Sequence, residues 1–405
     1  MTSSQTDNLP PLSDTYANNL LLRLIACPGT TGNEQPIANL LQQELVAIGV
    51  PKSAIFQDEA HKKIPLPTPC GNLIVRLSGN AKGPTILFST HMDTVPLCEG
   101  AVPIFSPDKS KIIPQGKTAL GGDNRTGCAV LVHLAAQLLR TDKPRPNITL
   151  LFTVREESGL HGARNLDTAL LGDPAFGFNV DGGEPAKFIR GAVGAERWEA
   201  EIEGIASHAG VHPDKGVSAT LVASLALAEA HQGGWFGKVV QGKHQGSSNA
   251  GILCGRNGGS VGDATNVVTD YLLMRGESRS FDSDFANQIT KSFEGAIANA
   301  IKKVTTSDGK TGSFRFKSQQ DYTAFEIPED SEVAQRAIRA ARIAGLNPRF
   351  ELGRGGLDSN WIVQHGIPSL TFGAGQHEIH TVSEYVDMGE FHAGCQLALA
   401  LALGN

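Results

Sequence analysis

The chain has 405 residues, of which 40% are hydrophobic and 19% are charged, and its formal net charge is −6. This length exceeds what one hydrophobic core usually supports, so we expect two domains. The mildly acidic balance and the absence of a long apolar run argue against binding to nucleic acid and against a membrane protein. The polar start of the chain lacks the layout of a signal peptide. Six scattered cysteines without a CxxC pair predict reduced thiols in a cytoplasmic protein.

The first part of the chain alternates helical patterns with short apolar strands. The strands read as continuously apolar, which is typical of a parallel sheet covered by helices on both faces. The predicted helices span residues 16–25, 36–48, 124–139 and 163–171, and the predicted strands span residues 72–77, 85–89, 148–154 and 176–180. This alternation predicts an α/β domain with a mostly parallel sheet.

The pattern changes near Gly191 and returns near residue 329, where a helix at 332–344 and a strand at 369–372 follow. Between these points lie predicted strands at 198–202, 266–274 and 312–317 and predicted helices at 217–230 and 285–302, with room for one more strand near 250–254. This order predicts an α+β domain in the ferredoxin-like style. We therefore predict one domain formed by residues 1–191 and 324–405, into which residues 192–323 are inserted.

Histidine and carboxylate side chains follow the predicted strands of the first domain. They are His91, Asp93, Glu156, Glu157, Asp181 and His380, joined by Asp123 in a loop that enters a helix. Ligands of open α/β sheets bind beyond the carboxyl ends of the strands, so we expect these groups to meet at one edge. Imidazole and carboxylate ligands together suit zinc, cobalt or manganese. Each residue alone also has an ordinary interpretation, such as a helix cap for Asp123.

Five motifs in the same order resemble the M20 family of dinuclear metallopeptidases, and its peptidase T-like branch in particular. They lie at residues 91–96, 121–127, 156–159, 179–183 and 380–385. The resemblance implies a catalytic domain with two divalent metal ions, zinc first and cobalt or manganese as alternatives. It also implies that residues 192–323 form a lid, that short peptides are the substrate, and it allows a homodimer through the lid.

The resemblance assigns the metal ligands residue by residue. His91 and Asp181 bind one ion, and Glu157 and His380 bind the other. Asp123 bridges both ions through its carboxylate.

The resemblance also assigns the residues that carry out the reaction. Asp93 hydrogen-bonds the imidazole of His91 and fixes its tautomer. Glu156 is the general base, which takes a proton from the attacking water and delivers it to the leaving amine.

Further residues resemble substrate-binding positions of the family. His208 matches a lid histidine that stabilises the developing oxyanion, and Asn266 and Arg279 match positions that bind carboxylate or carbonyl groups. A guanidinium fork suits a free carboxylate, although Arg279 could also pair with Asp282. The loop at 354–358 resembles an Arg-Gly-Gly-Thr-Asp loop of the peptidase T relatives, with leucine in place of threonine.

These motifs leave three functions open. The first is an aminopeptidase that acts on tripeptides. The second is a carboxypeptidase or an N-acyl amino-acid deacylase on the same scaffold, because relatives share the metal centre and differ in how they bind the ends of the substrate. The third is a non-catalytic binding protein on a degenerate enzyme fold.

Overall fold

A computed structural model describes residues 14–262 and 264–404. In these ranges the chain forms two compact units. The first unit takes in the described residues up to Gly191, together with Glu326–Gly353 and the described residues from Leu357 onward. The second unit consists of Ala192–Phe325, with Arg354–Gly356.

The described residues form nine α-helices. They are α1 (Asp14–Ala26), α2 (Gln35–Ala47), α3 (Gly122–Leu138), α4 (His161–Arg164), α5 (Ala219–Gln232), α6 (Ser283–Lys303), α7 (Glu332–Ile343), α8 (Asp358–Gln364) and α9 (Met388–Leu403). Four of the longer helices begin at a side chain whose oxygen accepts a backbone N–H of the first turn, which satisfies a donor that the helix itself leaves unpaired. These capping residues are Ser218, Asp282, Ser331 and Asp387.

The same residues form eighteen strands. They are β1 (Ile55–Gln57), β2 (Leu73–Leu77), β3 (Thr85–His91), β4 (Pro103–Phe105), β5 (Lys111–Pro114), β6 (Ile148–Thr153), β7 (Pro174–Val180), β8 (Lys187–Ala192), β9 (Gly194–Glu203), β10 (Gly237–Gln241), β11 (His244–Cys254), β12 (Tyr271–Ser280), β13 (Ser313–Tyr322), β14 (Phe325–Glu326), β15 (Arg349–Gly353), β16 (Ser369–Phe372), β17 (Gln376–His377) and β18 (Tyr385–Asp387).

The large sheet has the strand order β1-β2-β6-β3-β7-β16-β8-β14, and β15 pairs with β8. Its centre is parallel, because β6, β3, β7 and β16 pair with their neighbours in the same direction. The pairs of β1 with β2, β2 with β6 and β16 with β8 are antiparallel. The predicted α/β class with a mostly parallel central sheet is therefore confirmed.

Helix α3 lies at the centre of the first unit. All of its residues are buried, and it packs against α1, α9 and β3. A helix that is buried all round is a rigid support, because every side chain is fixed by its neighbours. Its first turn carries Asp123, so this support holds one of the predicted metal ligands.

The second unit is an antiparallel sheet in the order β10-β11-β12-β9-β13, and its buried core contains residues of α5 and α6. At its core the ring of Trp198 stacks 4.8 Å from that of Phe293 and 5.7 Å from that of Phe316. Glycine is required at Gly276, since a Cβ there would overlap the Trp198 ring. The unit therefore combines strands and helices in the predicted α+β style.

Two predicted elements differ from the structure. The predicted helix at 163–171 breaks into α4 and a 3₁₀ turn at Thr168–Leu171, because the Asp167 carboxylate accepts the Ala169 N–H and starts a new turn. The predicted strand at 266–274 lies later in the chain, as β12. In the second half of β12 every other residue is charged. These side chains form ion pairs on the exposed face, such as that of Arg275 with Glu199 at 2.7 Å.

A further property concerns membranes. Every helix in the described part of the chain is too short or too polar to cross a lipid bilayer.

The buried imidazole of His133 in α3 predicts a pH dependence of stability. Burial, followed by the charges of His392 and Arg140, lowers the pKa of His133 to about 4. In the unfolded chain an imidazole titrates near 6.5. The contribution of neutral His133 to the free energy of unfolding is therefore complete above about pH 6.5 and is lost as the pH falls towards 4.

We expect the metal-free protein to lose about 2 kcal/mol of unfolding free energy through this residue between pH 7 and pH 5. The His133→Leu variant should lack that part of the loss in urea unfolding at the two pH values. The exposed His231 offers the control His231→Leu, which should keep the wild-type slope. Equal pH slopes for His133→Leu and wild type would contradict this prediction.

Candidate metal centre

Four neighbouring parallel strands, β6, β3, β7 and β16, end at the same edge of the large sheet. The strand pairing places His91, the last residue of β3, opposite Thr153, the last residue of β6. It also places Val180, which precedes Asp181, opposite Phe372 at the end of β16. The side chains that follow these strands therefore meet at one edge, where ligands of α/β sheets bind.

Asp123 lies between two histidines. Its Oδ1 is 3.1 Å from Nε2 of His91, and its Oδ2 is 3.2 Å from Nε2 of His380. An oxygen of Glu157 is 3.0 Å from the same nitrogen of His380, and Oδ1 of Asp181 is 3.9 Å from that of His91. The structure thus brings the five predicted metal ligands together in two groups that share Asp123.

The buried carboxylates of this cluster favour the binding of a cation. Burial, followed by the charge of Asp123, raises the pKa of Asp181 to about 7. Burial is also the main cause that raises the pKa of Glu157, and it raises the pKa of Glu156 well above its ordinary value. Several buried carboxylates that face one another are costly unless positive charge lies between them.

The two histidines supply that positive charge when they are protonated. Hydrogen bonds with Asp123 and then with Glu157 raise the pKa of His380 to about 10. Burial lowers the pKa of His91, but the surrounding carboxylates, Glu156 first, raise it well above its ordinary value overall. Burial alone would raise the pKa of Asp123, yet hydrogen bonds from both histidines lower it. Imidazole nitrogens and carboxylate oxygens in two groups are a donor set that fits divalent metal ions.

Asp93 holds both glutamates as well as His91. Its two carboxylate oxygens accept the backbone N–H groups of Glu156 at 3.0 Å and of Glu157 at 3.2 Å. Nδ1 of His91 lies 3.1 Å from the backbone oxygen of Asp93 and 3.5 Å from its Oδ1. While the ring is protonated, Nδ1 donates to Asp93 and Nε2 donates to Asp123, and loss of the Nε2 hydrogen would leave the lone pair of Nε2 for a cation.

The residue before the glutamate pair, Arg155, adopts a left-handed backbone with φ of +50°. This conformation is uncommon outside glycine and costs on the order of 1 kcal/mol or more. The side chain holds the turn, because its guanidinium donates to the hydroxyl of Thr68 at 2.7 Å, to that of Ser158 at 3.3 Å and to the backbone oxygen of Pro67. The turn thereby presents Glu156 and Glu157 at the sheet edge.

Glu384 supports the centre, although no role was predicted for it. One of its carboxylate oxygens accepts the N–H groups of Leu120 and Gly121 at 2.8 and 2.9 Å, and the other accepts that of Asp123 at 3.0 Å. Glu384 therefore fixes the loop that presents Asp123. Its position inside the motif at 380–385 was the feature of the sequence that could have identified it.

Asp358 is a second buried acid that had no predicted role. The hydroxyl of Thr153 donates to its Oδ2, while Oδ1 has no partner among the described residues. Burial raises the pKa of Asp358 to about 6. Its negative charge also adds to the shift of Glu156. Its signal in the sequence was its position in the loop at 354–358.

The three predicted substrate-binding residues lie in the second unit. His208 and Asn266 are both exposed and belong to neighbouring segments, since the N–H of Ala209 donates to the backbone oxygen of Asn266 at 2.9 Å. Arg279 lies on β12 and forms two hydrogen bonds with Glu277, at 2.9 and 3.0 Å. Its partner in the structure is thus Glu277, whereas Asp282 pairs with His244 at 3.0 Å.

Comparisons with known proteins agree with this architecture. Peptidase family M20/M25/M40 matches residues 87–404. Peptidase T from Pasteurella multocida is 25% identical over 399 residues, which cover 89% of this chain and 88% of that protein.

Solved structures agree as well. A tripeptidase from Staphylococcus aureus has a TM-score of 0.85 and 27% identity, and the match covers 97% of this chain and 98% of that one. The aminopeptidase PepT from Bacillus cereus has a TM-score of 0.81 and 28% identity over the same shares.

The chain therefore belongs to peptidase family M20/M25/M40. It is a metal-dependent peptide hydrolase, and within the family it is similar to peptidase T.

The raised pKa values of the two histidines predict that metal binding releases protons. At pH 7 the metal-free protein holds these protons, and a ligating imidazole must give up the hydrogen on its ligating nitrogen. Loading with zinc should therefore release about two protons or more, which calorimetric titration in buffers of different ionisation enthalpy would measure. The His380→Gln variant should release fewer protons. A binding heat that does not depend on the buffer would contradict the prediction.

Proposed function

We propose that this peptidase removes the amino-terminal residue of short peptides, tripeptides above all, and that it uses two zinc ions. One ion would be held by His91 and Asp181 and the other by Glu157 and His380, with Asp123 between them. The observation that carries the proposal is that the two oxygens of Asp123 face two different histidines, at 3.1 and 3.2 Å. The names of the relatives, peptidase T, tripeptidase and aminopeptidase, support the substrate class.

The proposed mechanism assigns the proton transfers to Glu156. Divalent ions held by these residues would polarise the carbonyl group of the substrate and acidify a water molecule. Glu156 would accept a proton from the attacking water and return it to the amine that leaves. Burial and the neighbouring carboxylates raise the pKa of Glu156 in the metal-free protein, and bound cations would lower it again. These opposing effects would leave the side chain able both to take up a proton and to give it back. Asp93 keeps Glu156 in place through the backbone N–H that it accepts.

The second unit would act as a lid that binds the substrate. Nδ1 of His208 accepts the N–H groups of Gly210 and Val211 at 3.2 and 3.1 Å, so the neutral ring carries its hydrogen on Nε2. That N–H could donate to the oxygen of the peptide carbonyl. Arg279 would have to exchange Glu277 for a carboxylate of the substrate.

Two further expectations belong to this proposal. All six cysteines are free, which supports a cytoplasmic location in a reducing environment. A homodimer through the lid also stays a prediction, and sedimentation of the intact protein would test it.

The role of Glu156 can be tested by the variant Glu156→Gln. We expect its kcat to fall by about 10²- to 10⁴-fold while both metal ions stay bound, because only the proton carrier is lost. Metal content by mass spectrometry and kcat on a tripeptide are the measurements. The exposed Glu294 provides the control Glu294→Gln, which should keep wild-type kcat. Near-normal turnover by a fully metallated Glu156→Gln variant would refute the assignment.

The substrate class can be tested with a matched panel. It would contain one tripeptide in free, N-acetylated and C-terminally amidated forms, the derived dipeptides and N-acyl amino acids, each with zinc, cobalt and manganese. We expect the free tripeptide to lose its amino-terminal residue, N-acetylation to abolish turnover, and a chelator to stop it reversibly. Release of the carboxyl-terminal residue would instead identify a carboxypeptidase, and faster cleavage of N-acyl amino acids a deacylase. No hydrolysis of any member of the panel with any metal would refute the proposed substrate class.

A further inference from the structure

Gln376 contacts two of the predicted metal ligands at once. Its side chain is 4% exposed, and its amide nitrogen donates to Oδ1 of Asp181 at 3.0 Å and to Oδ1 of Asp123 at 3.3 Å. An amide nitrogen carries two hydrogens, so both are used on the two carboxylates. No motif in the sequence pointed to this residue.

The two carboxylates decide the orientation of this amide. Its oxygen Oε1 lies 2.9 Å from the hydroxyl of Thr126, which also lies 3.0 Å from the backbone oxygen of Gly122. That hydroxyl can donate or accept and so is compatible with either orientation. If the amide were turned over, however, its oxygen would face two carboxylates, which can only accept while they are ionised. The orientation with the donors towards Asp123 and Asp181 is therefore the one that the chemistry supports.

Both of these carboxylate oxygens face the same nitrogen. Oδ1 of Asp123 is 3.1 Å and Oδ1 of Asp181 is 3.9 Å from Nε2 of His91. Two carboxylate oxygens and one imidazole nitrogen thus converge. The two oxygens are negatively charged and repel each other. The amide of Gln376 opposes that repulsion, because it draws both oxygens towards one point.

Among the described residues, no other side chain comparable to Gln376 holds the carboxylates of the other half of the centre. In the part of the chain that the structure describes, the side-chain hydrogen bonds of Glu157 and of Oδ2 of Asp123 involve His380 alone. The two halves therefore differ in how firmly their carboxylates are held before a metal ion arrives.

We propose that Gln376 is a positioning residue that sets the metal affinity of the His91 half of the centre separately from that of the His380 half. This inference rests on the two-ion centre of the proposed function. Partners that hydrogen-bond a ligating carboxylate commonly contribute about 10- to 100-fold to metal affinity. Without Gln376 the carboxylates of Asp123 and Asp181 are free to turn apart, so the ion on that side should bind more weakly.

The test uses the variant Gln376→Met, which keeps the length of the side chain and removes its hydrogen bonds. The control is Gln137→Met, because Gln137 is also buried and its side chain is hydrogen-bonded to His133. Each metal-free protein would be titrated with zinc against a chromophoric chelator. Thermal unfolding midpoints would be recorded with and without metal.

We expect one of the two zinc affinities of Gln376→Met to fall by about 10- to 100-fold while the other changes by less than about threefold. The metal-free unfolding midpoint should shift no more than that of Gln137→Met. In a His380→Gln background, which should keep the ion on the His91 side, the added Gln376→Met change should weaken that remaining ion by a similar factor.

Other outcomes separate the two proposals. If wild type binds two ions and both affinities of Gln376→Met equal those of wild type, the inference about Gln376 is wrong and the proposed function stands. A parallel fall of both affinities, together with a lower metal-free midpoint, would show a merely structural role and overturn the inference. If wild type binds fewer than two ions, the proposed two-ion centre fails first.

Discussion

The repulsion among carboxylates at one edge of a parallel sheet is the constraint on which the rest of the centre depends. Burial and mutual charge raise the pKa of Asp181 to about 7 and raise those of Glu156 and Glu157 as well. The protein meets this cost with fixed hydrogen bonds around the cluster, and the two histidines supply the positive charge. A divalent ion can replace the two histidine protons, and for this reason the arrangement suits a metal-dependent hydrolase.

The fold places these groups through rigid elements. Two of the predicted ligands are placed directly by parallel strands, since His91 ends β3 and Asp181 follows β7, and Asp123 stands at the start of the fully buried α3. Two connections accept left-handed backbone, with φ of +50° at Arg155 and +62° at His380. Such strain persists only where the surroundings hold it, and these two residues lie next to or within the predicted centre.

Much of this organisation was predictable from local patterns. The apolar runs of the strands and the period of the long helices identified the α/β class, because these patterns reflect burial on the faces of an element. The wrongly predicted elements are places where a local interaction or a short apolar pair outweighed the wider pattern. Asp167 starts a new turn inside a helical pattern, and the apolar pair Val267 and Val268 imitates a strand just before β12.

The sequence by itself determined which chemical groups are present and, through its motifs, the family to which they belong. The tertiary structure alone decided which atoms face one another. Gln376 and Asp123 are 253 residues apart, and Glu384 and Asp123 are 261 apart, yet both pairs are hydrogen-bonded. Periodicity reports which face of an element is buried, but it carries no information on contacts between distant elements, and those contacts hold the carboxylates together.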